Sequence, residues 1–251
     1  MDEPLTRNDS HDDAYFDRLF FRRRMASIAI WLIPIGIFGL YKAIPVIYEM
    51  SPPVQKDRIE HSKRNMRMVL LGLQHYSDRY GVLPAPIAVN RNMKPIHSWR
   101  TAILPLICQE TFYAELDPQN RAWNEGDSSD FRQIEMPIYS SPRTETSCEW
   151  CSCYALVVGN GTIFENHTKF ELESYEGPNF PTQLTGLLIE LPESDIEWME
   201  PRDVTVDEAI AIIRNSKLRG GTLVGFSNTQ VQAISANTSA EEIRSLFSPT
   251  E

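Results

Sequence analysis

Gln55–Tyr80 reads QKDRIEHSKRNMRMVLLGLQHYSDRY, and its apolar residues fall where one face of a helix needs them. Met66, Val69, Leu73, Tyr76 and Tyr80 follow one another at three- and four-residue steps, which makes a single stripe along a helix. Lys63, Arg64, Arg67, Asp78 and Arg79 fall mostly off that stripe, as on a face turned to water. Ser51-Pro52-Pro53 breaks the chain before it, and Gly81, Pro84 and Pro86 end it. The spacing predicts one long helix whose stripe is core.

Upstream, Met25–Tyr41 (MASIAIWLIPIGIFGLY) carries no charge, and the apolar character resumes after Lys42 as far as Tyr48. A membrane-spanning helix needs about 20 mainly apolar residues, so residues 25–48 are expected to cross a lipid bilayer. The rivals are a buried core helix and a cleaved signal peptide. Arg22-Arg23-Arg24 stands directly before the run, a basic block of the kind that stays in the cytoplasm. Leu40–Met50 (LYKAIPVIYEM) shows no small-x-small cleavage site. The expectation is an uncleaved single-pass anchor in a bacterial inner membrane. Residues 1–24 would then form a cytoplasmic tail and residues 49–251 an exported, periplasmic domain.

The formal net charge is -10. Residues 1–24 nearly balance, so the excess of acid falls after the apolar stretch. An acidic domain repels phosphate backbones, which argues against a nucleic-acid partner. Apolar residues at 42% and charged residues at 23% are ordinary for a folded protein and argue against disorder throughout.

Beyond the long helix, His97-Ser98-Trp99-Arg100 runs into Ala102–Ile107, read as helical through Leu116. Residues 117–130 are polar and loop-like. The pattern then changes to short β-rich runs, Tyr154–Val158, Thr162–Glu165 and Leu184–Leu191, separated by Gly, Asn and Pro. Thr205-Val206-Asp207-Glu208 is a capping box opening a helix over Glu208–Arg214, and Thr238–Glu241 is a second candidate box before a last short helix. Thr222–Phe226 and Gln230–Ile234 resemble a hairpin. A long helix followed by antiparallel strands predicts an α+β fold, with the helix packed on the sheet.

Three strings look familiar together: RNMRMVLLGLQHYSDRYGVLP from Arg64, KPIHSWRTAILPLICQETFY from Lys94, and YALVVGNGTIF from Tyr154. They resemble a planctomycete family of pilin-like proteins called domain of unknown function 1559. The resemblance is good from about Arg64 to Phe164 and looser through Leu188-Ile189-Glu190, Trp198–Pro201 and Gly220-Gly221. It implies a pilin-like fold and an anchored, exported domain, and it supplies no activity. Two departures stand out. Arg24–Ile28 offers neither the cleavage glycine nor the early glutamate of a prepilin leader. Phe226-Ser227-Asn228-Thr229 stands where the family's His and Asp-Gly signature would fall.

Cys148-Glu-Trp-Cys151-Ser-Cys153 is the most concentrated chemical signal. Thiolates so placed can hold zinc, with Cys108 or a histidine completing four ligands. In an oxidising exterior the candidates Cys108, Cys148, Cys151 and Cys153 form disulfides instead. Four cysteines allow three pairings, and the sequence does not choose among them. Cys151-Ser-Cys153 is too short for a thioredoxin-type redox pair. Of five scattered histidines, His97 beside Trp99 and Arg100 is the one to examine, either as a packing residue or, with acidic residues of later loops, as the base of a hydrolase. Asp195, Glu197 and Glu200 lack the regular ligand spacing of a calcium loop. Gly159-Asn160-Gly161 and Arg219-Gly220-Gly221 read as turns, without a phosphate-loop context. The sequence reading is therefore a non-enzymatic, membrane-anchored envelope protein without cofactor, meeting other envelope proteins. An exported hydrolase and a cysteine-based metal module are the alternatives.

Overall fold

The computed structural model describes residues 51–90, 92–107, 109–118, 121–126, 128–165 and 178–249. The expected tail at 1–24, the expected anchor at 25–48 and Cys108 all lie outside the described residues. The long helix, α1, spans Pro52–Tyr80. Its buried face is Ser62, Met66, Val69, Leu70, Gly72, Leu73 and Ser77. Tyr80, read as the end of the stripe, is 55% exposed instead. The helix has outrun the core by its last turn.

A small antiparallel hairpin follows, β1 (Ile87–Val89) with β2 (Pro95–Ser98). The segment read as helical through Leu116 is broken into α2 (Trp99–Ala102), a 3-10 turn at Leu104–Leu106 and α3 (Glu110–Leu116). Pro105 is the cause, since it cannot donate to a preceding carbonyl and disfavours a helical residue before it. A short helix, α4 (Ser128–Arg132), and another 3-10 turn at Pro137–Tyr139 lead to β3 (Glu145–Thr146).

The main sheet is built from β4 (Tyr154–Val158), β5 (Gly186–Glu190), β7 (Val204–Thr205), β8 (Thr222–Phe226) and β9 (Val231–Ile234), in the order β7-β4-β5-β8-β9. All neighbours run antiparallel except β4 and β7, which are parallel. β6 (Glu193–Ser194) pairs with β3 in a separate two-stranded ribbon. Thr162–Glu165, read as a strand, is a turn, because Gly159 and Gly161 adopt φ of 108° and 79° and Thr162 Oγ1 bonds back to the Gly159 carbonyl at 2.7 Å.

Every residue of β4, β5 and β8 is buried, so both faces of the sheet are covered. Tyr154, Leu156, Val158, Leu188 and Leu223 join Met66, Val69, Leu70 and Leu73 of α1 in one core. On the opposite face, Ala155, Val157, Ile189, Val224 and Phe226 pack against α5 (Val206–Asn215) and α6 (Ala240–Phe247). The expected α+β fold with a sheet and a packed long helix is present, and a second helical layer is added to it. Both C-terminal helices open on capping boxes. The first is Thr205 with Glu208, as read. The second is Ser239 with Glu242, one residue beyond the predicted Thr238–Glu241 pair.

Glycine lets both layers approach the sheet. A Cβ at Gly225 would lie 2.9 Å from Leu70 Cδ1, the mobile end of a side chain. A Cβ at Gly186 would lie 2.9 Å from the Phe247 ring and 3.0 Å from the Leu246 carbonyl oxygen, neither of which can yield easily. Gly186→Ala is therefore expected to lower stability by about 1–3 kcal/mol, the usual range for overpacking. Urea unfolding would register this as a shifted midpoint with unchanged slope.

Candidate functional site

The His97–Arg100 segment turns from β2 into α2 and carries a fully buried guanidinium into the core. Arg100 Nε donates to Ser152 Oγ at 3.1 Å, and Nη1 donates to the carbonyls of Glu200 at 3.5 Å and Arg202 at 3.3 Å. Nη2 donates to the Tyr154 carbonyl at 2.8 Å and to Asp203 Oδ1 at 3.1 Å. All five N–H directions of the fork are thus used within the protein. The same Asp203 oxygen accepts from Trp99 Nε1 at 3.0 Å and from the Leu156 amide at 2.9 Å, while Oδ2 has no partner among the described residues. Burial pushes the Asp203 carboxyl up, against the pull of Arg100. Tyr139 donates to the Arg100 carbonyl at 2.8 Å, stacks on Trp198 at 6.4 Å and meets Trp99 edge-on at 6.1 Å. The node ties β2–α2, β4 and the loop before β7 together. With its donors saturated, Arg100 has none left for an incoming molecule.

His97 is only 6% exposed. Its Nε2 faces the Pro118 carbonyl, and Nδ1 has no partner among the described residues. Nε2 therefore carries the proton of the neutral ring, and the backbone at Pro118 and Arg121 favours the charged ring less than burial opposes it. Burial lowers the pKa to about 4. Asp195, Glu197 and Glu200, the acidic cluster weighed as a cation site, are engaged in ion pairs: Glu197 with Arg132 at 3.0 Å, and Asp195 and Glu200 with Arg202 at 3.0 and 2.8 Å. The depressed folded-state pKa gives a clear sign. Stability is full above the unfolded value near 6.5 and is lost as pH falls through the folded value of about 4. His97 is expected to remove on the order of 3 kcal/mol between neutrality and pH 4. His97→Gln should flatten that part of the stability–pH curve in chemical unfolding.

A second buried charge lies on the α1 side of the sheet. Glu190 Oε1 accepts from Ser62 Oγ at 2.6 Å and Ser141 Oγ at 2.9 Å. Its Oε2 accepts from Arg143 Nη1 at 3.0 Å and the Leu223 amide at 3.3 Å. Arg143 also donates to the carbonyls of Gly221 at 2.7 Å and Arg219 at 3.0 Å, and Tyr154 Oη lies 2.9 Å from Ser62 Oγ. One carboxylate thus joins α1, β5, β8 and the segment before β3. Sequence reading quoted Glu190 only as part of a family string. A glutamate closing the run Gly-Leu-Leu-Ile was the available signal for a buried, paired charge.

The four cysteines separate. Cys148 and Cys151 form a disulfide across three positions of sequence. Cys153 keeps a free, buried thiol that accepts from the Ser141 amide at 3.2 Å and the Thr144 hydroxyl at 3.0 Å. Cys153, read as a candidate for bridging, is a thiol here, and burial pushes its pKa up. The paired sulfurs provide no thiolate for zinc, and no group of three or more His, Cys, Asp or Glu among the described residues could hold a metal ion. Cys148-Glu-Trp-Cys151 has the two-residue spacing that the sequence reading sought only between Cys151 and Cys153.

A family model described as a protein of unknown function (DUF1559) matches residues 58–187. The chain belongs to this family. The DUF1559 match takes in most of α1, the Arg100 segment, the cysteine turn and β4, and it ends inside β5. Asp203 and Glu190, the acidic partners of Arg100 and Arg143, both lie beyond it. The buried ion pairs therefore stitch the DUF1559 segment to the C-terminal part of the chain. No curated protein and no solved structure matches significantly.

Proposed function

We propose that this DUF1559 protein is a membrane-anchored, pilin-like component of the bacterial envelope, acting by structure and interaction. The single observation that carries the reading is the order of the chain. An apolar stretch behind three arginines, uncharged from Met25 to Tyr41 and ending at Tyr48, is followed within a few residues by the 29-residue amphipathic helix α1. The chemistry of the buried charges supports a structural role, because Arg100, Glu190 and Arg143 spend their hydrogen bonds on the fold. No helix among the described residues is long and apolar enough to cross a membrane, so the anchor in this reading is Met25–Tyr48. The N-terminus lies in the cytoplasm and the folded domain in the periplasm.

Carbonate extraction of membranes and a reporter fused after Glu251 test this directly. Retention in the carbonate pellet together with activity of an alkaline phosphatase fusion is the expected result. Release into the wash, or a fusion active only in the cytosol, overturns it. Crosslinking in the native membrane would then identify the envelope proteins that the domain touches.

A further inference from the structure

The Cys148–Cys151 disulfide has no part in the reading above, and its two sulfurs are placed unequally. Cys151 is 4% exposed and bridges to Glu197, whereas Cys148 is partly exposed at the surface. The Ser147 hydroxyl lies 3.5 Å from Cys151 Sγ. Beside the turn opens a groove of about 500 Å³ lined by Glu145, Thr146, Ser147, Glu193, Ser194 and Asp195. The bridge adds little as a staple. A ring of so few residues removes about 2 kcal/mol of chain entropy from the unfolded state. The turn is also held by its backbone, with Cys151 N–H on the Cys148 carbonyl at 3.2 Å, Ser147 N–H on Ser194 at 2.9 Å and Trp198 N–H on Trp150 at 3.1 Å.

A partly exposed outer cysteine, a buried inner one with a hydroxyl beside its sulfur, and a groove that begins at the neighbouring Ser147 are the arrangement that thiol–disulfide exchange favours. We propose that Cys148–Cys151 is an exchange-competent disulfide that oxidises thiols carried by cationic partners seated in the acidic groove. A partner thiolate attacks Cys148 Sγ, the Cys148–Cys151 bond breaks, and Cys151 leaves as a thiolate. The Ser147 hydroxyl donates to that thiolate, which then takes a proton from water. A second thiol of the partner attacks the partner sulfur in the mixed disulfide and releases Cys148, which is protonated in turn. Two partner thiols become one disulfide, and two electrons and two protons reduce the cysteine pair. Cys153 takes no part, since its sulfur is enclosed by Ser141 and Thr144. The carboxylates of Glu145 and Glu193 select the partner by attracting an ammonium or guanidinium beside the thiol and repelling an anionic one, while Asp195 is already paired with Arg202 at 3.0 Å. This inference does not depend on membrane anchoring.

The test uses the intact full-length protein with cysteamine, a cationic thiol, and 3-mercaptopropionate, an anionic one, at matched thiolate concentrations. Each rate is taken relative to the same thiol's rate on a neutral small-molecule disulfide, so that their different nucleophilicities cancel. Thiols released from the protein are alkylated and assigned by mass spectrometry while circular dichroism monitors the fold. Cysteamine is expected to reduce the bond at least about tenfold faster at low salt, with the advantage largely abolished near 1 M salt. The double variant E145Q/E193Q, which alters surface charge and leaves both cysteines in place, should lose most of that advantage. Equal rates for the two thiols at low salt, or reduction only after the fold is lost, overturns the proposal.

Discussion

Arg100→Met is expected to destabilise the folded domain by about 3–5 kcal/mol, the cost of leaving one member of a buried ion pair without the other. Asp203 would keep its bonds from Trp99 and Leu156 but lose the cation beside it, at a position where Oδ2 has no partner among the described residues. The Arg202 carbonyl would lose its donor in the same step, and those of Tyr154 and Glu200 would each lose one, keeping the Ser152 hydroxyl and the Arg202 amide. Domains of this kind are stable by only about 5–15 kcal/mol, so the variant should unfold at a much lower urea concentration. Trp99 and Trp198 flank the node, and their fluorescence reports its loss. Arg100→Lys is expected to recover less than half of the deficit, because three donors on one nitrogen cannot replace a planar fork that bonds two separate stretches of chain, residues 152–154 and 200–203. The deficit should shrink toward acid pH, where the orphaned Asp203 becomes neutral. A loss below about 1 kcal/mol, the range of an exposed pair, would show that Arg100 is not enclosed as described.

The second large effect is expected at Glu190. Replacing it with leucine strands Arg143 at 4% side-chain exposure, takes this acceptor from the Ser141 hydroxyl and the Leu223 amide, and leaves the Ser62 hydroxyl only Tyr154 Oη. The expected loss is again about 3–5 kcal/mol. Arg143→Met in the same chain removes the stranded charge, so the double variant should be more stable than the sum of the single losses predicts. A coupling of at least about 1 kcal/mol is expected from a double-mutant cycle, within the range for residues in one network. It will not approach full recovery, since the Gly221 and Arg219 carbonyls also lose their donor. Strict additivity of the two substitutions would refute the network.

α1, β4, the hairpin of β8 with β9 and the first capping box were legible because each is set by neighbours in sequence: a helical stripe, a β-rich run, a two-strand repeat, a side chain reaching three residues on. The second helical layer was missed, yet Tyr-Ala-Leu-Val-Val at β4 is a continuous apolar run and not an alternating one. A strand wet on one face alternates; one covered on both does not. Pro105 and the glycines around Asn160 punctuate where the structure breaks, although the reading carried a helix and a strand across or beside them.

By itself, then, the sequence determined the local elements, the acidic character and the family, because periodicity, charge and motif order are properties of neighbouring residues. Only the tertiary structure decided that Arg100 meets Asp203, that Glu190 meets Arg143 and Ser62, and that Cys151 pairs with Cys148 while Cys153 stays a thiol. The ion-pair partners lie 47 to more than 100 residues apart. No periodicity connects positions so distant. What selects them is the desolvation of a charge in a closed core, which is tolerable only where the fold brings its partner into contact.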